Sequence, residues 1–398
     1  MEEKIKEINR KEDKLIKNRI MKFGDDDEFK NNPNLKFNSY ILKYDKYPGK
    51  VAEIFYSFSK NKIYIISIEN IILNIYETFD SSNITKILSL QKHKRKIEVV
   101  RYSKEPTKNS EYLLSADTNM IFIWDINNNF DNKYKIDYIC PNKSKLIDSI
   151  LFFSNDIINK DYIFATSSKQ TPGMNCYNSD TKMYSFDNKY IKDLEIIDGY
   201  LYHLLIWNDN IKHNYYIVIL TILYIAIINI LDGKLYWTVM NYTGDFDFNL
   251  NANKSDHAYI YKNNNNYYLV DLNYFYVTIW DLYKKCKVKQ IKTDIEIFNK
   301  KLNKEEKIIY KLKRLVKWNN KYTIVIKKHH SYNPENEYSS LQIIDLEQGK
   351  VITKMGNEKD EKEYIRFMKP FIHPIYGESL ILVDNSIGVQ FWTTNKTK

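Results

Sequence analysis

Short strands that end in an aromatic or aliphatic residue, followed by a polar residue, a turn and another strand, recur along this chain. Seven segments carry the pattern: LNIYE, IFIWDI, MNCYNSD, IAIINILDGK, VTIWDL, LQIIDLEQGK and VQFWTT. Their anchor residues, Tyr76, Trp124, Tyr177, Ile228, Trp280, Ile344 and Trp392, are spaced 48 to 64 residues apart. A recurring spacing of that size marks repeated supersecondary units. Residues 93–138 spell out one unit: His93, then IEVVRYS, EYLLSAD, IFIWDI and KYKIDYI as four successive strands.

The most apolar run, Tyr215 to Leu231, falls into the same grammar. YYIVIL reads as a second strand, LYIAIINI as a third, DGK as the turn and LYWTVM as a fourth. A strand buried on both faces reads as a continuous apolar run rather than an alternating one. Seventeen residues also just reach the lower limit for a membrane-spanning helix. The β-branched and aromatic enrichment, Asn229 inside the run and the Asp232-Gly233 turn count against that rival.

Four short strands per period make a propeller blade. The chain resembles the WD-repeat family, most clearly in HKRKIEVVRYSKEPTKNSEYLLSADTNMIFIWDI, and next in FYVTIWDLYKKCKVKQIK, LQIIDLEQGKVITKM and SLILVDNSIGVQFWTT. Kelch repeats have a similar period but carry paired glycines, and no Gly-Gly occurs here. The fold expected is all-β: a seven-bladed WD-repeat β-propeller over 36–393 with a charged N-terminal extension, helical or disordered, over 1–33. Blades are expected near 50–90, 96–138, 146–186, 200–240, 256–292, 308–355 and 364–393. The last lacks a fourth strand, and KFNSYILKYD, residues 36–45, alternates as a strand should and is expected to supply it. In the extension, Ile5, Ile8, Leu15, Ile16, Ile20 and Phe23 recur at helical spacing among charges, so it either docks on a partner or the propeller, or frays.

Composition sharpens this picture in three ways. Ten glycines and eight prolines are few for 398 residues, so Asn and Asp must make most of the turns. The net charge of +10 comes from lysines sprinkled through the chain rather than massed, and a Lys-, Asn-, Ile- and Tyr-rich bias resembles that of AT-rich genomes, which raises charge with no functional cause. Cys140, Cys176 and Cys286 are widely spaced, with no CxxC pair, so neither a disulfide framework nor a zinc site is indicated. The N-terminus alternates charge and has no apolar core, so it is no secretory signal, and the expected location is cytosol or nucleus.

The WD-repeat resemblance implies a buried hydrogen-bonded set within a blade, and His93, Ser115, Asp117 and Trp124 fall at its places. The fifth blade keeps Trp280 and Asp281, with His257 upstream. The fourth and sixth put Ile228 and Ile344 where Trp stands, and are expected to rely on apolar packing. The implied role of the set is structural, because a satisfied buried network rigidifies what it joins.

No catalytic address is visible. The seven histidines form no metal-ligand spacing, and there is no GxSxG, GxxxxGK[ST] or GxGxxG. No catalytic, cofactor-binding or metal-binding residue is therefore named, and no cofactor is expected. The basic, aromatic-laced KIIYKLKRLVKWNNKY, 307–322, reads as alternating core and solvent positions of a strand. Propellers that bind phosphoinositides carry Arg-Arg followed by Gly, which is absent, and those that dock on ubiquitin-ligase adaptors often carry Arg where Asn127 and Tyr283 stand.

The expected function is a non-catalytic protein–protein interaction scaffold, a propeller monomeric in itself within a larger hetero-complex and not inserted in a membrane. Residues 329–340, with His329, His330, Tyr332 and Glu335, are expected to form a partner-contact loop. The alternative is an RNA- or chromatin-associated propeller that uses the positive charge.

Overall fold

A computed structural model describes residues 38–42, 50–78, 84–105, 109–137, 145–152, 161–170, 177–185, 190–194, 197–198, 201–221, 224–240, 258–272, 276–292, 307–318, 321–331, 337–349, 351–355, 365–373, 377–384 and 388–393. Among these residues every regular element is a strand. The charged segment 1–33 lies outside them.

The strands form seven antiparallel sheets, and in all but the last the chain runs from one strand to its neighbour in sequence order. The first sheet holds β2 (Lys50–Ser57), β3 (Lys62–Glu69), β4 (Ile72–Thr78) and β5 (Thr85–Leu90); the second holds β6 (Val99–Lys104), β7 (Glu111–Ala116), β8 (Met120–Asp125) and β9 (Asp131–Asp137). The third has β10 (Lys145–Phe152), β11 (Tyr162–Gln170), β12 (Tyr177–Ser185) and β13 (Tyr190–Asp193), with the short β14 (Ile197–Asp198) also on β12. The fourth comprises β15 (Leu201–Asp209), β16 (Asn214–Thr221), β17 (Tyr224–Asn229) and β18 (Leu235–Met240). The fifth comprises β19 (Ala258–Asn263), β20 (Asn266–Leu272), β21 (Tyr276–Asp281) and β22 (Cys286–Lys292). These five belong to one compact unit, Asp45–Asp294.

The other unit takes Met1–Tyr44 with Ile295–Lys398. Its sixth sheet is β23 (Lys307–Trp318), β24 (Lys321–Ser331), β25 (Glu337–Asp345) and β26 (Val351–Met355). The seventh is β27 (Ile365–His373), β28 (Gly377–Asp384) and β29 (Gly388–Thr393), completed by β1 (Asn38–Leu42) from the other end of the chain. β1 lies antiparallel to β29 from Asn38↔Thr393 to Leu42↔Val389.

In the five-sheet unit each sheet buries its faces against the next. Phe55, Tyr64, Ile66, Leu73 and Ile75 of the first pack with Leu113, Phe122, Trp124 and Phe130 of the second. The second meets Ile163, Ala165 and Tyr184 of the third. The fourth sheet shows why its sequence is so apolar. Tyr215, Ile217, Ile219 and Ile228 pack toward the third sheet, while Tyr216, Val218, Leu220, Ile225 and Ile227 pack toward the fifth. Successive strand side chains point to opposite faces, so burial on both sides leaves no polar position. Thr221 closes the β16–β17 turn: its hydroxyl accepts from Tyr224 N at 2.8 Å and donates to Tyr224 O at 3.1 Å, supplying the turn chemistry that Thr-Ile-Leu lacks on paper.

The repeat has a physical marker in the third-to-fourth strand pairing. Its register slips at Ile75/Tyr76, Ile123/Trp124, Met183/Tyr184, Ile227/Ile228, Ile279/Trp280 and Ile343/Ile344. The second residue of each pair is buried. The extra residue lies on the fourth strand, opposite the anchor, and such a bulge bends that strand and sharpens the local twist. The third anchor is thereby corrected. Tyr184, not Tyr177, stands opposite the bulge, whose extra residue is Ile191 of β13, because Asn178–Asp180 continue β12 in register with β11 instead of turning.

Asn does supply the strained turn angles. Positive φ occurs at Asn61, Asn70, Asn109, Asn129 and Asn264, and among the other non-glycine residues described only at Phe130, His213 and Lys285. Asn tolerates that left-handed region because its short amide bonds to nearby backbone.

Candidate functional site

The strongest polar constellation lies within the second sheet. His93 precedes β6, Ser115 sits on β7, Asp117 follows it at the turn and Trp124 lies on β8. The His93 Nδ1–Asp117 Oδ2 distance is 2.9 Å, His93 Nε2 to Ser115 Oγ is 2.7 Å, and Trp124 Nε1 donates to Ser115 Oγ at 2.9 Å. Asp117 Oδ1 also accepts from the backbone N–H of Asn119 at 2.7 Å and of Met120 at 2.9 Å. Burial pushes the Asp117 carboxyl up, but the His93 and backbone hydrogen bonds outweigh it and hold it below the usual aspartate range. An ionised Asp117 requires the hydrogen on Nδ1. With the ring neutral, Nε2 then accepts from the Ser115 hydroxyl, whose oxygen accepts the indole hydrogen, so each polar atom finds a complement. Phe122 closes the ring edge-on to His93 at 4.8 Å.

Serine, histidine and aspartate in a hydrogen-bonded row are also the parts of an acyl-transfer triad. Here Ser115 is 0% exposed and His93 3%. The hydroxyl is engaged by both histidine and tryptophan, so no substrate carbonyl reaches it in this arrangement. What the row can do is tie the segment that leads into β6 to β7, β8 and the turn between them.

Replacing Ser115 with alanine strands the Trp124 N–H and the His93 Nε2 together. Removing one member of a buried network costs about 1–3 kcal/mol, read as a lower denaturation midpoint. A midpoint unchanged within error would show that the row carries no stability.

The fifth sheet places its counterparts differently. Trp280 pairs with Leu269 as Trp124 pairs with Leu113, which puts Asp271 where Ser115 stands. Trp280 is buried and stacks edge-on against Trp237 at 5.8 Å, but its indole N–H finds no acceptor among the described residues. Asp281 instead folds the next turn, accepting from Tyr283 N at 3.0 Å and Lys284 N at 2.9 Å. Asp125, Asn229 and Asp345 cap the corresponding turns. In the second, fourth, fifth and sixth sheets the polar residue after the anchor is therefore a turn cap. His257 lies outside the described residues. In the fourth sheet Ile219 and Ile228 fill the Ser and Trp positions with buried aliphatic surface.

His329 and His330 are strand residues, not loop residues. His329 pairs with Ile309 and Ser339, and His330 with Ile308 and Tyr338. The loop expected over 329–340 is corrected on that point: β24 runs through Ser331, β25 begins at Glu337, and extended pairing of this hairpin consumes the flanks. Tyr332 and Glu335 lie outside the described residues. No group of three or more His, Cys, Asp or Glu side chains is arranged to hold a metal among the described residues.

Two buried acids, neither singled out by its sequence context, join neighbouring sheets. Glu111, at the start of β7, accepts from Ser57 Oγ (2.5 Å), Phe58 N (3.0 Å), Ser59 N (3.2 Å), Ser59 Oγ (2.6 Å) and Tyr102 OH (2.7 Å). It thus clamps the β2–β3 turn of the first sheet onto the second. Asp209, ending β15, accepts from Ile211 N and Lys212 N at 3.1 Å and from Tyr283 OH of the fifth sheet at 2.6 Å. Burial and this bond drive the Tyr283 hydroxyl well above its ordinary range. Trp207 lies beside it, stacked on Tyr216 at 4.5 Å, with Tyr236, Tyr267 and Tyr283 around it. The only sequence signal for either acid is a carboxylate at the edge of an apolar strand.

No family model and no curated protein matches the chain. Solved structures do. BBS1N, determined in complex with ARL6DN, is 8% identical, with a TM-score of 0.55 over 88% of this chain and 94% of that one. The beta-propeller domain of Myceliophteria thermophila Cps50 (Swd1) is 9% identical, with a TM-score of 0.53 over 90% of this chain and all of that one. At such identity the likeness is one of fold, and the fold is the β-propeller.

Proposed function

We propose that this β-propeller of WD-repeat type is a non-catalytic protein–protein interaction scaffold, one subunit of a larger intracellular complex. One observation carries the reading. The reactive side chains gathered in the described sites, His93, Ser115, Asp117, Glu111 and Asp209, are buried and spent on joining strands and sheets. What remains for function is the surface that those joints hold rigid, and binding residues concentrate on turns positioned by such a scaffold. Support also comes from BBS1N, a propeller-like neighbour solved with a partner protein bound. No helix among the described residues is long and apolar enough to cross a membrane.

Affinity capture of the tagged full-length chain under several lysis conditions, followed by mass spectrometry and size-exclusion chromatography, tests this. Stable co-purifying proteins are expected. Recovery only as a lone monomer would sink the scaffold reading, and capture of nucleic acid with a steep salt dependence would replace it with the RNA- or chromatin-associated alternative.

A further inference from the structure

We infer that the turn ends of the fourth and fifth sheets form a docking surface for an acidic linear segment of a partner protein carrying aliphatic side chains among its carboxylates. The inference rests on the scaffold reading and names a place and a partner chemistry for it. Ile211 and Leu231, at the tips of the β15–β16 and β17–β18 turns, are 40% and 50% exposed. Turn formation does not ask for them. Asp209 caps the first turn through the main-chain N–H of Ile211 and Lys212, and Asn229 caps the second through those of Leu231 and Asp232. Corresponding turns in the second and fifth sheets carry the polar Asn127–Asn129 and Asn263–Asn266. Polar residues are the default at such tips.

Around the two aliphatic tips stand four exposed lysines: Lys212, Lys234, Lys284 and Lys285. Two are fixed in place. Lys212 Nζ sits 4.2 Å above the Tyr283 ring, and Lys285 Nζ sits 4.0 Å above the Tyr236 ring while donating to Tyr236 O at 2.9 Å. Facing them, Asp209 and Asp281 are buried and occupied as caps, which leaves Asp232 as the exposed carboxylate of these turns. The Asp209–Tyr283 bond joins the two sheets here, so the cations and aliphatic tips are held on one rigid base. Cations around an apolar centre complement a peptide that alternates carboxylate and aliphatic groups; a phosphate backbone would use the charges and leave Ile211 and Leu231 idle.

Fluorescence anisotropy on the full-length chain at low salt decides it. The probes are a labelled ten-residue peptide alternating Glu and Leu, its Glu–Ser counterpart and a uridine decamer. The Glu–Leu peptide is expected to bind, and the other two to bind at least about tenfold more weakly. Leu231→Ser and Lys234→Glu, both at exposed turn positions, are each expected to weaken it at least about fivefold, while Lys86→Glu on β5 leaves it unchanged. Absence of Glu–Leu binding, equal binding to either variant, or tighter binding of the uridine decamer overturns the proposal. Affinity capture with the Lys234→Glu chain separates the two ideas. Partners retained alongside failed peptide binding leave the scaffold standing without this surface, whereas no partner for either chain removes the scaffold itself.

Discussion

Replacing Glu111 with alanine is expected to lower stability by about 3 kcal/mol. The carboxylate is fully buried and takes five hydrogen bonds, four of them from the β2–β3 turn and one from Tyr102. Alanine removes the acceptor these donors share: the buried Ser57 and half-buried Tyr102 hydroxyls lose their partner inside the joint, while Phe58 and Ser59 lie on an exposed turn where water replaces it, and a stranded buried donor costs about 1–3 kcal/mol. The same geometry fixes a pH dependence. Burial pushes the Glu111 carboxyl up, yet the bonds from Ser57, Ser59, Tyr102 and Phe58 pull it below the usual glutamate range. A group lowered in the folded state contributes stability above its unfolded value and loses it as pH falls through the folded one. Asp117 adds a contribution of the same sign. The wild-type chain should therefore lose stability below about pH 4, and Glu111→Gln should show a shallower acid limb from an already lower plateau. Denaturation midpoints measured from about pH 3 to pH 7 check both. An alanine variant within about 1 kcal/mol of wild type would mean the carboxylate does not clamp the sheets.

Deleting residues 1–45 is expected to cost the chain its solubility. β1 covers β29 along five residue pairs, and without it β29 becomes the rim of the seventh sheet, with one row of backbone N–H and C=O groups unsatisfied. An exposed edge of this kind recruits other chains. Soluble yield should fall, the remaining protein should elute as oligomers, and the melting temperature should drop by roughly 5 °C or more. The peptide KFNSYILKYD added in trans should restore the monomer in part. A truncated chain that stays monomeric and melts like wild type would show that β1 is dispensable.

The alternation and the period make the sheets legible in the sequence. Tyr215–Leu231 reads as two strands because its composition is β-branched, and burial on both faces explains why it lacks polar relief. His93, Ser115, Asp117 and Trp124 are also legible, since they belong to one local unit and its fixed spacing sets their geometry. What joins units is not written locally. Glu111 and its Ser57–Ser59 partners are more than fifty residues apart, and nothing around Glu111 distinguishes it from a solvent-facing acid at a strand end. Asp209 and Tyr283 are hidden in the same way. Tyr177 misleads because Tyr-Asn-Ser-Asp has the composition of a strand end followed by a turn, whereas pairing with β11 keeps it extended. That the Trp280 indole meets no acceptor among the described residues is equally unreadable, since it depends on the strand register that sets Asp271 of β20 at the place a serine holds in the second sheet.

The β1–β29 pairing also has a consequence for how the protein is made. All the other sheets are completed by strands that follow one another closely, so each can form as it leaves the ribosome. β1 is different: among the described strands it emerges first and its neighbour β29 emerges last. Until β29 is made it is a lone strand, so a ribosome that stops before residue 388 releases a chain with a permanently bare strand, the kind of product that chaperones and proteases are built to find.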